Sequence, residues 1–175
     1  MNGVKALFTI LGRHDEYMGH LNGFVHTSWL FRTSKGVPVE DLRGFVREWL
    51  RSHPGGKIYV GTDSKTRGSE VKYSTVVCLW DVGSGVWEAY ANQVIEKPKD
   101  RFTRLWNEIM RSVEIAEYLK DIAPITVHMD FNSNPRFPSY RLYDAGMGLI
   151  QSLGFDGAGK PHSWAATSGA NRHCQ

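Results

Sequence analysis

Two aspartates of this 175-residue chain occupy matching places, each closing a short β-rich run: Asp63 follows Lys57-Ile58-Tyr59-Val60-Gly61-Thr62, and Asp130 follows Ile125 to Met129. If those runs are neighbouring parallel strands, their ends lie roughly 5 Å apart and both carboxylates reach one spot. Ligands of open α/β sheets bind there, outside the carboxyl ends of the strands. Two carboxylates so close repel each other unless a cation or a proton sits between them. A hard cation such as Mg²⁺ prefers oxygen ligands and keeps several waters, which is what carboxylates at an exposed sheet edge provide. A lone strand-end aspartate is more simply a turn or capping residue, and only the matched positions weigh against that. A third carboxylate is expected from a helix between the runs, where Glu108, Glu114 and Glu117 are candidates. With Phe102 as reference, Glu108 falls about 120° to one side of the helix and Glu114 about 120° to the other, so periodicity does not choose between them. Glu114 and Glu117 read as solvated flank charges that pair with Arg104 or Arg111.

The elements that must position these groups follow from periodicity and turn chemistry. From Pro38, Leu42, Phe45, Val46, Trp49 and Leu50 recur at helical spacing behind a proline suited to a first turn, and His53-Pro54-Gly55-Gly56 ends that helix. The run to Thr62 is a buried strand. Val71 to Asp81 and Val86 to Ile95 are two more, joined by Gly83-Ser84-Gly85 as a hairpin. Asp100 caps a long helix with Phe102, Leu105, Trp106, Ile109, Met110, Val113, Ala116 and Leu119 as its apolar stripe, broken off by Pro124. After the strand at 125–129 comes the polar loop Phe131 to Pro138. Ser139 then caps a helix through Leu153, Gly154 to Gly159 can hold a short strand, and Pro161 to about Arg172 forms a last helix. A long helix between two strands is a crossover that makes them parallel, so the fold is α/β with a mixed sheet. Residues 1–36 show no sustained period and are set apart as an N-terminal extension, with 37–175 as the domain.

Composition bounds the possibilities. With 41% hydrophobic and 22% charged residues the chain is one ordinary domain, large enough to need no disulfide or structural metal. The net charge of +3 permits a nucleic-acid partner without arguing strongly for one. Its distribution says more, because no acidic residue follows Asp156 whereas Lys160, His162, Arg172 and His173 do. Two cysteines, Cys78 and Cys174, exclude a disulfide framework and fit a reducing, cytoplasmic setting. No apolar stretch approaches the ~18 residues of a membrane span, and the first ten residues lack a signal-peptide layout, so neither insertion nor export is expected.

Four segments in order resemble the bacterial YkuK family, described as predicted nucleases of ribonuclease H-like fold: Val60-Gly61-Thr62-Asp63-Ser64-Lys65; Asn107-Glu108 with Ser112 to Glu117; His128-Met129-Asp130 with Asn132 and Asn134; and Lys160-Pro161 with Trp164-Ala165-Ala166 and Asn171-Arg172-His173. The resemblance covers about Gly36 to His173. It implies a five-stranded mixed sheet, three antiparallel strands followed by parallel ones, whose first and fourth strands carry the metal-binding Asp63 and Asp130. It also selects Glu108 as the glutamate near the start of the first crossover helix. The family's last helix carries Ala-Asp-Arg where this chain has Ala170-Asn171-Arg172. Asn171 offers a neutral carbonyl oxygen instead of an anion, so a second metal is held more weakly unless His173 assists. The implied activity is phosphodiester hydrolysis in RNA or DNA with two Mg²⁺ or Mn²⁺ ions roughly 4 Å apart. Asp63 would bridge them, with Asp130 and Glu108 completing the shell. The alternative is a catalytically weak or inactive nucleic-acid-binding or interaction module. Lys65, Arg136, Arg141, Lys160 and Arg172 are the cations best placed by sequence to meet phosphates, and Phe137 and Tyr140 can stack on bases or simply pack the loop. His128 shares its strand face with Asp130 and is either a support for the site or a hydrogen-bonded core residue.

Other chemistries find less support. Gly154 to Lys160 has most of a phosphate-binding P-loop, but Pro161 stands where Ser or Thr should hold the ion and lacks the backbone N–H of such a cradle. No Gly-x-Ser-x-Gly elbow exists, and the seven histidines and two cysteines show no zinc spacing.

Overall fold

The computed structural model describes residues 29–175. The sheet is built from β1 (Phe31–Thr33), β2 (Pro38–Val39), β3 (Lys57–Arg67), β4 (Glu70–Asp81), β5 (Gly85–Glu96), β6 (Ile125–Asn132) and β7 (Asp156–Lys160). Its helices are α1 (Leu42–Ser52), α2 (Arg101–Leu119), α3 (Tyr140–Ser152), a π-helical segment (Ala165–Ala170) and α4 (Asn171–Cys174). The seven strands lie in the order β2-β1-β5-β4-β3-β6-β7. β3, β4 and β5 are antiparallel neighbours, while β6 runs parallel to β3 and β7 parallel to β6. The α/β mixed sheet expected from the crossover is therefore present. Two short strands extend it beyond five, and β1 falls inside the stretch 1–36 set apart above, paired through Arg32↔Tyr90 to β5. Residues 1–28 lie outside the described residues. No helix among the described residues is long and apolar enough to cross a membrane.

Strand alternation sorts the core onto two faces. Ile58, Val60, Val77, Leu79 and Ala89 pack with the buried stripes of α1, α2 and α3. Val76 and Cys78 turn the other way and meet Ala165 and Ala170, with Tyr59, Tyr90 and Trp164 around them. Gly61 is on this second face, where a Cβ would lie 2.6 Å from the Ala166 nitrogen. Only glycine lets the π-helical segment come that close to β3.

Several local expectations need correction. Pro38 does not start α1; it belongs to the edge strand β2, where a missing N–H is tolerated, and Asp41 caps the helix by accepting from Gly44 N at 2.9 Å. β3 does not stop before Asp63. It runs on to Arg67, paired with β4 from Asp63↔Ser74 to Arg67↔Glu70, and Gly68 at φ 60° makes the reversal. The buried stripe of α2 is rotated from the apolar one: Phe102 is 44% exposed, whereas Glu108 and Ser112 are buried. They are buried because β3 presents polar partners, Ser64 and Thr62, on the face that α2 covers. Ser139 makes no side-chain cap; its Oγ instead accepts from Asn132 N at 3.1 Å. The last helix begins at Ala165, not Pro161, and its first turns are π-helical.

Candidate active site

The parallel pairing of β3 with β6 runs from Ile58↔Ile125 to Thr62↔Met129 and then stops. Asp63 and Asp130 are the next residue on each strand, so both carboxylates sit where the two backbones part. A cleft of about 300 Å³ opens there, lined by Asp63, Ser64, Arg101, Arg104, Glu108 and Asp130 together with Asn132, Phe137, Ser139 and Lys160. Asp63 shares its strand face with Tyr59 and Gly61, the π-helical side, whereas Glu108 reaches the cleft from α2 on the opposite face.

Ser64, one residue on, points toward α2 and donates to Glu108 Oε1 at 2.5 Å. Arg104 supports that contact, donating to Ser64 Oγ at 2.7 Å and to its carbonyl oxygen at 3.0 Å. The other oxygen, Glu108 Oε2, is buried with no hydrogen-bond partner. Burial, with Asp63 and Asp130 adding repulsion, pushes the Glu108 carboxyl up to about 8. Arg104 at 3.8 Å from Oε1 acts in the opposite direction but is engaged by Ser64 and does not offset the desolvation. Asp63 is raised to about 6, again by burial first and by Asp130 second. Asp130 is held differently, accepting from Lys160 Nζ at 2.9 Å on Oδ2 and from Thr167 Oγ1 at 2.7 Å on Oδ1.

The donors suit a hard divalent cation in kind, since three carboxylates line one cleft and one of their oxygens is buried and unpartnered. They form an open cleft, not a closed cage: among the described residues no three His, Cys, Asp or Glu side chains converge closely enough to be a ready cation site.

Of the residues named from sequence, the cleft brings together Asp63, Glu108, Asp130 and Lys160, with Phe137 at its margin. It does not include Asn171 or His173. Asn171 is exposed, with Oδ1 accepting from Gln175 Nε2 at 3.2 Å. His173 stacks on Tyr90 with ring centroids 3.7 Å apart and places Nε2 2.9 Å from Glu88 Oε1. The same buried Glu88 holds Arg172 at 3.3 Å. Arg172 and His173 turn to this carboxylate on β5, and neither Asn171 nor His173 lines the cleft. Lys65 donates to Gln175 Oε1 at 2.5 Å, and Arg136 and Arg141 are exposed outside the cleft lining. His128 is a core residue: its Nδ1 accepts from Ala165 N at 3.0 Å, its ring packs on Tyr59 and Trp164, and burial pushes it down to about 4. Glu114 accepts from Trp29 Nε1 at 3.1 Å and Glu117 from Lys120 at 2.7 Å, outside the cleft.

Sequence reasoning missed Arg101 as a cleft residue and assigned Arg104 to surface pairing. Both were within reach of the helical period, because they precede Glu108 by seven and four residues and so share its face. Ser64 and Thr167 carried no such signal, since a strand serine and a helix threonine are common in structural roles.

A sheet with three antiparallel strands followed by two parallel ones, and an acid-lined cleft where its central parallel pair parts, defines an α/β protein of ribonuclease H type. The Ribonuclease H-like family matches residues 39–175, and the chain belongs to that family. No curated protein and no solved structure matches it. Membership makes the chain a nuclease-like or nucleic-acid-interacting module.

Proposed function

We propose that the protein is a divalent-metal-dependent nuclease that hydrolyses phosphodiester bonds of RNA or DNA in the cleft between β3 and β6. The observation that carries this reading is the buried, unpartnered Glu108 Oε2 in a cleft shared with Asp63 and Asp130. A carboxyl oxygen left without any hydrogen-bond partner in the interior costs free energy that a cation would recover once the group ionises. Asp63, Glu108 and Asp130 would hold Mg²⁺ or Mn²⁺. When bound, such an ion lowers the pKa of an attacking water and stabilises charge on the leaving oxygen.

The chain's own groups do the rest. Asp63, with a carboxyl at about 6, is mostly ionised at neutral pH and ready to hold a cation, whereas Glu108 at about 8 must first lose its proton. Arg101, Arg104 and Lys160 line the cleft as cations and would engage phosphate oxygens. Phe137, half exposed at the margin, offers a ring on which a base can stack. Hydrolysis joins water's oxygen to phosphorus and breaks the bond to the leaving ester oxygen, which departs carrying a proton.

A binding module with little catalysis is the second reading, favoured by one observation: both oxygens of Asp130 already have protein donors. Incubation with Mg²⁺ or Mn²⁺ and a panel of single-stranded RNA, single-stranded DNA, RNA:DNA hybrid and branched DNA separates the two. Cleavage that disappears in Asp63→Asn supports the nuclease; binding without cleavage by the parent protein supports the module.

A further inference from the structure

Lys160 occupies an unusual place for a surface-strand lysine. It ends β7, where that strand rejoins β6 at Asn132↔Lys160 after a shift in register, and its Nζ lies 2.9 Å from Asp130 Oδ2 inside the cleft. Thr167 holds the other oxygen at 2.7 Å. A divalent ion on Asp130 would share Oδ2 with an ammonium and meet its repulsion at close range. The last helix supplies no compensating anion, since Asn171 is neutral and its Oδ1 is taken by Gln175. Charge leads to the same limit. Once Glu108 has given up its proton, three carboxylates less the one positive charge on Asp130's oxygen leave two negative charges, the complement of one divalent ion. Arg104, 3.8 Å from Glu108 Oε1, tightens that balance further.

We infer that the cleft takes one divalent cation, held by Asp63 and Glu108 alone out of the three carboxylates proposed above, and that Lys160 fills the second cation position as a built-in monocation. Asp130 then acts as the seat of the lysine. In the nuclease reading, on which only this last step rests, the Lys160 ammonium meets a substrate phosphate oxygen where a second metal ion would have stood. The chemistry matches, because an ammonium is a compact point charge that needs no further ligands to stay in place.

Counting bound ions tests the inference independently of cleavage. Mn²⁺ is titrated into the full chain and bound ions are counted from the loss of the free-ion paramagnetic signal, for the parent protein, Lys160→Gln and Lys160→Arg. Circular dichroism confirms that each variant is folded. The expected saturation is one ion for the parent and for Lys160→Arg, and two for Lys160→Gln, with nuclease activity falling at least tenfold in Lys160→Gln. Two ions in the parent, or one in Lys160→Gln, overturns the inference while leaving the metal-dependent reading intact. No saturable binding by any of the three overturns the metal-dependent reading itself, and the inference with it. Two ions in Lys160→Gln with undiminished cleavage keeps the site count but removes Lys160 from contact with substrate.

Discussion

Replacing Glu108 by glutamine should change how stability depends on pH, in a direction that burial of the carboxyl dictates. In the folded chain without added metal this group titrates at about 8, against an ordinary value of 4.5. A raised folded pKa means that the native state keeps its proton longer than the unfolded chain does. The associated stability is present below the unfolded value and is lost as pH rises toward 8. With 1.36 kcal/mol per pH unit, the parent should lose about 3–4 kcal/mol from this group between pH 5 and pH 8. Glutamine cannot ionise and keeps the shape of the protonated acid, so the variant lacks this slope. Urea unfolding in the presence of a chelator, at pH 5, 6, 7 and 8, gives the difference in unfolding free energy between variant and parent. That difference should rise in favour of Glu108→Gln by about 3–4 kcal/mol across the series, and Mn²⁺ should narrow it by stabilising the parent. A difference that stays constant from pH 5 to pH 8 would refute the claim that Glu108 is buried and protonated in the resting cleft.

Three further outcomes follow from neighbouring contacts. His128 is pushed down to about 4 from 6.5 and stays neutral, so its stabilisation is present above 6.5 and about 3 kcal/mol of it is lost as pH falls to 4; His128→Gln should flatten that acid limb in pH-resolved urea melts. Gly61→Ala drives a Cβ to 2.6 Å from the Ala166 nitrogen, and because both partners are backbone the cost should reach the upper end of ~1–3 kcal/mol by chemical denaturation. Ser64→Ala removes the 2.5 Å donor to Glu108 Oε1 and should cost about 1–2 kcal/mol at pH 6, measured in the same way.

The elements were legible where local chemistry agrees with tertiary packing. Asp100 caps α2 through Thr103 N at 2.8 Å, the glycines at 83 and 85 turn the β4–β5 hairpin at positive φ, and the crossover makes β3 and β6 parallel. Placing Asp63 beside Asp130 needed only the two strand patterns. Legibility ended where a contact depends on a distant partner. The rotation of α2 that buries Glu108 and exposes Phe102 is set by Ser64 and Thr62 on β3, which no periodicity within the helix encodes. The place of α4 is likewise set from far away in the chain. Glu88 on β5 captures Arg172 and His173, and the Asp63 carbonyl oxygen accepts from Cys174 Sγ at 3.1 Å. A glutamate within a strand and an Arg-His pair late in the chain carry no local mark of that pairing, so the expectation that Asn171 and His173 reach the acidic cleft had nothing in the sequence to correct it.

The cleft is assembled from both faces of one sheet, and that origin explains its charge pattern. Asp63 and Asp130 belong to the face that the π-helical segment covers, and Thr167 from that segment holds one oxygen of Asp130. Glu108 and Arg104 belong to the face that α2 covers and meet β3 through Ser64. The two sets reach each other only because the β3–β6 ladder stops at Thr62↔Met129, so no backbone pairing separates them beyond that point. Carboxylates delivered from opposite sides cannot relax apart without unseating a helix. Their repulsion is met instead by three local devices: a proton on Glu108, the Lys160 ammonium on Asp130, and Arg104 behind Ser64. Only the proton can leave without moving a side chain. In the metal-dependent reading proposed above, entry of a cation would therefore be coupled first to deprotonation of Glu108, and Lys160 would remain as the fixed positive charge for a phosphate to meet.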